Sequence, residues 1–186
     1  MSWKNTATSY GWAAILLHWI SAVGVIWLYF LGEDIEHAKE AKAPREAISE
    51  MVEFHAAIGA VFFTFLLARI VLHYAQRQPA KPDQNKYVNM LASAVAHLFL
   101  LMIAIQIITG PVVIWTRPAA IDVFGMASIP SPFAARNGDL HELAEEIHAF
   151  APNLFWPLIA LHVAGALKHL VLDKKRTSLR MIGMKR

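Results

Sequence analysis

Four stretches of this chain are each apolar for about 20 residues or more, and nothing else constrains its fold as strongly. They run approximately over residues 11–31, 54–73, 90–115 and 147–172. A bilayer core about 30 Å thick needs roughly 20 residues of helix at about 1.5 Å each. A backbone crossing lipid must satisfy its own hydrogen bonds, so such segments are helices. The expected fold is an all-α membrane protein: a four-transmembrane-helix bundle, with residues 1–186 as one domain. At 56% hydrophobic residues the chain is more apolar than a soluble domain of its size. Pro111 and Pro157 fall inside spans, where neighbours re-satisfy freed carbonyls, and a local kink is expected at each.

The first span is expected to be retained. Ala41-Lys42-Ala43 has the small-x-small pattern of a signal cleavage site. The apolar run is nevertheless too long for the hydrophobic region of a signal peptide, and the acidic stretch 33–40 separates the two.

Charge sets the orientation. The N-terminal tail, the 74–89 connection and the C-terminal tail hold Lys4, Arg77, Lys81, Lys86, Lys174, Lys175, Arg176, Arg180, Lys185 and Arg186, against only Asp83 and Asp173. The 32–53 and 116–146 loops are rich in Glu and Asp, and their basic residues are Lys39, Lys42, Arg45, Arg117 and Arg136. Counting Lys and Arg places both termini in the cytoplasm. The pI near 9.3 follows from this topology, so no nucleic acid partner is implied.

Histidines then suggest chemistry. His18, His55, His148 and His162 lie inside or at the ends of spans, where an imidazole is costly and functional by default. His148 and His162 are 14 residues apart, which on one helix returns to nearly the same face after roughly 21 Å. The topology puts His18 and His162 at the inner level, and His55 and His148 at the outer one. Two imidazoles on opposed helices are what bis-histidine ligation of a b-type haem needs, so the expected axial pairs are His18–His162 and His55–His148. The absence of cysteine excludes iron–sulfur clusters and covalent c-type haem.

Other residues carry open readings. Arg69, 14 residues after His55, either pairs with a haem propionate at the inner centre or snorkels to the headgroups. Gly59 and Gly165 either leave room for a macrocycle or allow close helix packing. His97 could compete as an inner ligand or be a hydrogen-bonded intramembrane histidine. His169, with Lys168, suits either a proton-exchanging quinone site or plain interfacial solvation, and Trp3 and Trp19 are further quinone-site candidates. His73 is expected to be interfacial, and His37 and His141 to be solvated loop residues, either of which could instead sit near the outer centre.

Taken together, Lys4-Asn5-Thr6, Tyr10-Gly11, Leu17-His18-Trp19, His55 with Gly59 and Arg69, His97, Thr109-Gly110-Pro111, His148, Leu161-His162, His169 and Leu179-Arg180-Met181-Ile182 resemble the bacterial dihaem cytochrome b561 family over essentially the whole chain. The resemblance implies two haems b on His18, His55, His148 and His162. It also implies electron transfer between a periplasmic donor, superoxide in one member, and membrane quinone. The 32–53 loop is longer than a compact member would carry. Net acidic outer loops disfavour an anionic donor unless Lys39, Lys42, Arg45, Arg117 and Arg136 form a local funnel.

Two rivals stay open. One is the haem-bearing membrane anchor (cytochrome b subunit) of a hydrogenase- or formate-dehydrogenase-like complex, and the other is a haem-free transporter that uses the histidines as relays. The sequence leaves the donor, the direction of electron flow and the oligomeric state, a homodimer included, undetermined.

Overall fold

The computed structural model describes residues 2–81, 85–172 and 180–181. Asp83 and Asp173, with most of the basic C-terminal tail (Lys174, Lys175, Arg176, Leu179, Ile182, Lys185 and Arg186), lie outside the described residues. Helices α1 (Trp12–Glu40), α2 (Arg45–Ala75) and α3 (Lys86–Trp115) are followed by a hairpin of β1 (Ile121–Val123) and β2 (Ala127–Ile129). The chain closes with α4 (Gly138–Phe150), a tight turn Ala151–Leu154, α5 (Phe155–Leu167) and a wide turn Lys168–Leu172.

Four helical segments are long and apolar enough to cross a membrane: Trp12–Glu40, Arg45–Ala75, Lys86–Trp115 and Gly138–Val171. Only 11% to 22% of each segment's most apolar window is buried inside the protein, so their apolar faces point outward, as a lipid solvent requires. The interior core is small, with Leu66, Val95, Met102, Ile103, Phe155 and Leu158 joining α2, α3 and α5.

The structure revises the expected 32–53 loop. α1 runs on to Glu40 and α2 begins at Arg45, leaving only residues 41–44 between them. Glu, Ala and Lys end an apolar run but are strong helix formers, so the helices outlast their hydrophobic stretches. The turn comes where Lys42 takes a left-handed φ of 53° and Pro44 follows. His37 is therefore exposed on a helix rather than in a loop.

The fourth span also departs from a single helix. Pro157 lacks the N–H that would reach the carbonyl of Asn153, and Pro152 lacks the one that would reach His148. The chain tightens into the Ala151–Leu154 turn between those positions. Its rise of about 2.0 Å per residue lengthens the path from His148 to His162 by about 2 Å over an ideal helix. Pro111, by contrast, sits within an α3 that continues as one helix.

Hydrogen bonds tie the described tails to one end of the bundle. Ala80 N donates to Ala7 O (2.8 Å), Arg180 Nη1 to Ala80 O (3.1 Å) and Trp19 Nε1 to Met181 O (2.8 Å). We call this the tail end, and the opposite end, with residues 41–44 and the hairpin, the loop end. In the hairpin turn Phe124 and Gly125 both have positive φ (56° and 68°), and Asp122 Oδ2 accepts from Gly125 N at 2.8 Å.

Candidate haem-binding histidine pairs

The four intramembrane histidines meet in two pairs, each bridging the first half of the chain to the second. His18 on α1 faces His162 on α5 with ring centres 6.0 Å apart. His55 on α2 faces His148 on α4 with ring centres 6.1 Å apart. A metal about 2 Å from one nitrogen of each ring, with about 1 Å from nitrogen to ring centre, would need rings about 6 Å apart. Both pairs match this spacing, so the residues present fit a bis-imidazole iron centre at each level.

The loop-end pair is the more completely built. A cavity of about 370 Å³ surrounds it, lined among others by Gly32, His55, Gly59, Gly110, His148 and Phe155. That volume lies in the range of small-molecule and cofactor sites. A methyl on Gly59 would meet only Leu28, at 4.0 Å, and one on Gly165 nothing within 4 Å. Neither glycine serves close helix packing, and Gly59 leaves space in the cavity. Gly110 is different, because a methyl there would come within 3.0 Å of His148 Cε1.

α3 cradles His148. The Thr109 hydroxyl donates to Ile105 O at 2.7 Å, which leaves its oxygen to accept from His148 Nδ1 at 3.0 Å. This puts the imidazole proton on Nδ1 and frees Nε2 to ligate, the orientation that outer hydrogen-bond partners give metal-bound histidines. The His148 carbonyl, stripped of its helical partner by Pro152, accepts from Gln106 Nε2 at 3.1 Å. Thr109 and Gly110 stood in the sequence only as part of a motif; their roles required α3 to be placed beside α4. His55 Nδ1, in turn, is buried without a hydrogen-bond partner.

At the tail end, His162 also packs edge-on against Phe99 at 5.7 Å. Arg69 is half-buried, and its charge reaches Tyr10, His18, His73 and His162. This guanidinium therefore stands at the level of the His18–His162 pair. Tyr10, in the segment preceding α1, has its pKa raised chiefly by burial, with Arg180 and Arg69 pulling the other way. It is a neutral hydroxyl at physiological pH, able to donate a hydrogen bond. Lys168 and His169 fall in the wide turn closing the fourth span, and Trp3 stacks edge-on against Trp12 at 4.1 Å.

One open reading is decided and one expectation is revised. His97 is the hydrogen-bonded histidine and does not join His18 or His162. Its ring lies 5.5 Å from His73 on α2, and its Nδ1 bonds Ser93 O at 2.7 Å. His141 is not a solvated loop residue. It lies on α4, only 4% exposed, with Nδ1 3.0 Å from both Thr116 Oγ1 and Val113 O, and it accepts from Arg117 through Nε2. The signal missed was Asn137, whose side chain caps α4 by accepting from Leu140 N at 3.1 Å and starts the helix at Gly138, nine residues before the apolar run.

The sequence model described as Prokaryotic cytochrome b561 matches residues 9–184. Cytochrome b561 homolog 2 of Escherichia coli (strain K12) is 29% identical, covering 98% of this chain and 96% of that protein. Probable superoxide oxidase CybB of Yersinia pestis is 29% identical, covering 88% and 94%. Cytochrome b561 homolog 1 of Escherichia coli (strain K12) is 23% identical, covering 90% and 93%. Four apolar helices and a family match over nearly the whole length lead to one conclusion: the chain belongs to the prokaryotic cytochrome b561 family, bacterial membrane cytochromes that bind b-type haem and transfer electrons.

Proposed function

We propose that this protein is a dihaem cytochrome of the inner membrane, with both termini cytoplasmic, that carries electrons between a periplasmic donor and the quinone pool. The observation supporting it is the pairing of imidazoles at two levels, His55–His148 toward the loop end and His18–His162 toward the tail end. A b-type haem held by two imidazoles has no open iron position and so passes single electrons rather than binding oxygen. The residues around it orient and insulate. Thr109 sets the His148 tautomer, Gly32, Gly59 and Gly110 keep side chains out of the cavity, and Arg69 offers a guanidinium to a propionate carboxylate. On this reading the whole of residues 1–186 forms one functional unit.

The name of the Yersinia pestis relative makes superoxide the first donor to test. Against an anionic donor, Lys39 at the mouth of the cavity is paired with Glu36 (2.8 Å) and Glu145 (3.3 Å), and Arg117 is turned inward onto His141. His169 and Lys168, in the turn that closes the fourth span, are the proposed quinone contacts. Dithionite-reduced minus oxidised spectra with pyridine-haemochrome quantification on detergent-purified protein should show two haems b per chain. A colourless preparation after expression with ample haem overturns the proposal.

Thr109→Val should act selectively on the loop-end centre. Without an acceptor for Nδ1–H, His148 is a poorer electron donor to the iron. That centre's potential should rise, and its haem should be retained about 10–100-fold less tightly, as when other outer partners are removed. A redox titration resolving two components checks this; identical potentials and haem content in the variant would show that Thr109 has no such role.

A further inference from the structure

We infer that His73 and His97 form a third imidazole pair, a surface site for a borderline divalent cation such as Zn²⁺, separate from both intramembrane pairs. The residues come from adjacent helices, His73 near the end of α2 and His97 within α3, with ring centres 5.5 Å apart and rings nearly perpendicular at 89°. With each ring centre about 3 Å from a shared cation, a 5.5 Å separation calls for a bent arrangement closer to tetrahedral, unlike the wider pairs at 6.0 and 6.1 Å. Bent coordination suits zinc, which prefers tetrahedral geometry and takes neutral imidazole well.

The site is also prepared chemically. His97 Nδ1 bonds the Ser93 carbonyl at 2.7 Å, so that nitrogen carries the proton and Nε2 keeps a free lone pair. This is the same orientation that Thr109 gives His148. Tyr74 packs edge-on to His73 at 5.0 Å and lies 6.3 Å from His97, giving the pair an aromatic wall. His73 is the last residue of its apolar run and His97 lies beside it, so the pair stands toward the tail-end surface of the membrane and a cation need not cross the bundle to reach it. Among the described residues no group of three or more His, Asp or Glu side chains is set for a metal, so water completes the shell and binding is weaker than at a closed site. Arg69, one turn before His73, opposes the cation and weakens binding further.

This placement gives the site a consequence. The Arg69 charge reaches both His73 and the His18–His162 pair, so a cation on His73 and His97 adds positive charge at the same level. If that pair carries a redox centre, as proposed above, bound Zn²⁺ favours its reduced state; binding itself does not depend on that reading.

The test is calorimetric titration of the full-length, haem-loaded protein, carrying no histidine tag, with ZnCl₂. One saturable site per chain is expected. It should be weakened in His73→Ala and in His97→Ala by more than the roughly 10–100-fold that loss of an outer partner alone costs. His37→Ala should bind as the parent does, and haem content should be the same in all four proteins. His73→Gln and His97→Gln serve where an alanine variant does not fold. The inference is overturned by the absence of a saturable site, by undiminished binding in both variants, or by loss of haem in either. The last outcome would make the pair part of a haem site, while an unchanged haem spectrum without Zn²⁺ binding would leave the dihaem proposal standing.

Discussion

Replacing His162 with alanine should remove one haem and leave the other, halving the haem content of a protein that still purifies folded. His162 meets only one of the intramembrane histidines, His18, at 6.0 Å, while His148 meets His55 at 6.1 Å. The two pairs lie at opposite levels of the bundle and share no residue, so losing one ligand should empty one level. The surviving centre should keep the spectrum of a bis-histidine haem. His18→Ala should reproduce the result, and His148→Ala should remove the complementary component. Pyridine-haemochrome quantification and reduced-minus-oxidised spectra of the three variants decide the matter. Loss of both haems, or of neither, from folded His162→Ala protein would overturn the pairing by level.

Gly24→Ala should destabilise the folded bundle by about 1–3 kcal/mol, the usual cost of forcing an extra methyl into a packed contact. Gly24 is buried on α1 where Phe62 of α2 lies against it, and a methyl there would overlap the aromatic ring itself. The ring cannot turn aside freely, because Phe62 packs against the interior core and stands edge-on to Trp27 at 6.3 Å and near Phe65 at 6.4 Å. Relief therefore requires α1 and α2 to separate. Thermal unfolding in detergent should show a clear fall in midpoint for Gly24→Ala, and Phe62→Leu in the same chain should recover part of it. If the two substitutions simply add, the overlap is not where the strain lies.

Much of this protein was legible in one dimension because lipid removes ambiguity. With no water to satisfy the backbone, a run of about 20 apolar residues is a helix. Depth could also be counted off from span direction, which set His18 against His162 and His55 against His148, and those rings stand 6.0 and 6.1 Å apart. The helix extensions 33–40 and 45–53 were not legible, because charge was read as the end of a helix when it marks only the end of hydropathy. His141 was misplaced for the same reason. Its burial depends on Thr116 and Arg117, 25 and 24 residues away, and on a helix start set by Asn137.

The sequence alone determined the architecture: four spans, no cysteine, and histidines placed within the spans. Those follow from the solvation of single residues and from the rise of a helix, which are local quantities. Only the tertiary structure decided that Thr109 fixes the His148 tautomer, that Gly110 makes room for that ring, and that Gly24 is the tight contact where Gly59 and Gly165 are open. It also assigned His97 to His73. Each of these depends on which face of one helix meets which face of another. Nearly every face here is apolar, because lipid as well as protein must be satisfied, so the sequence pattern carries little record of which faces meet.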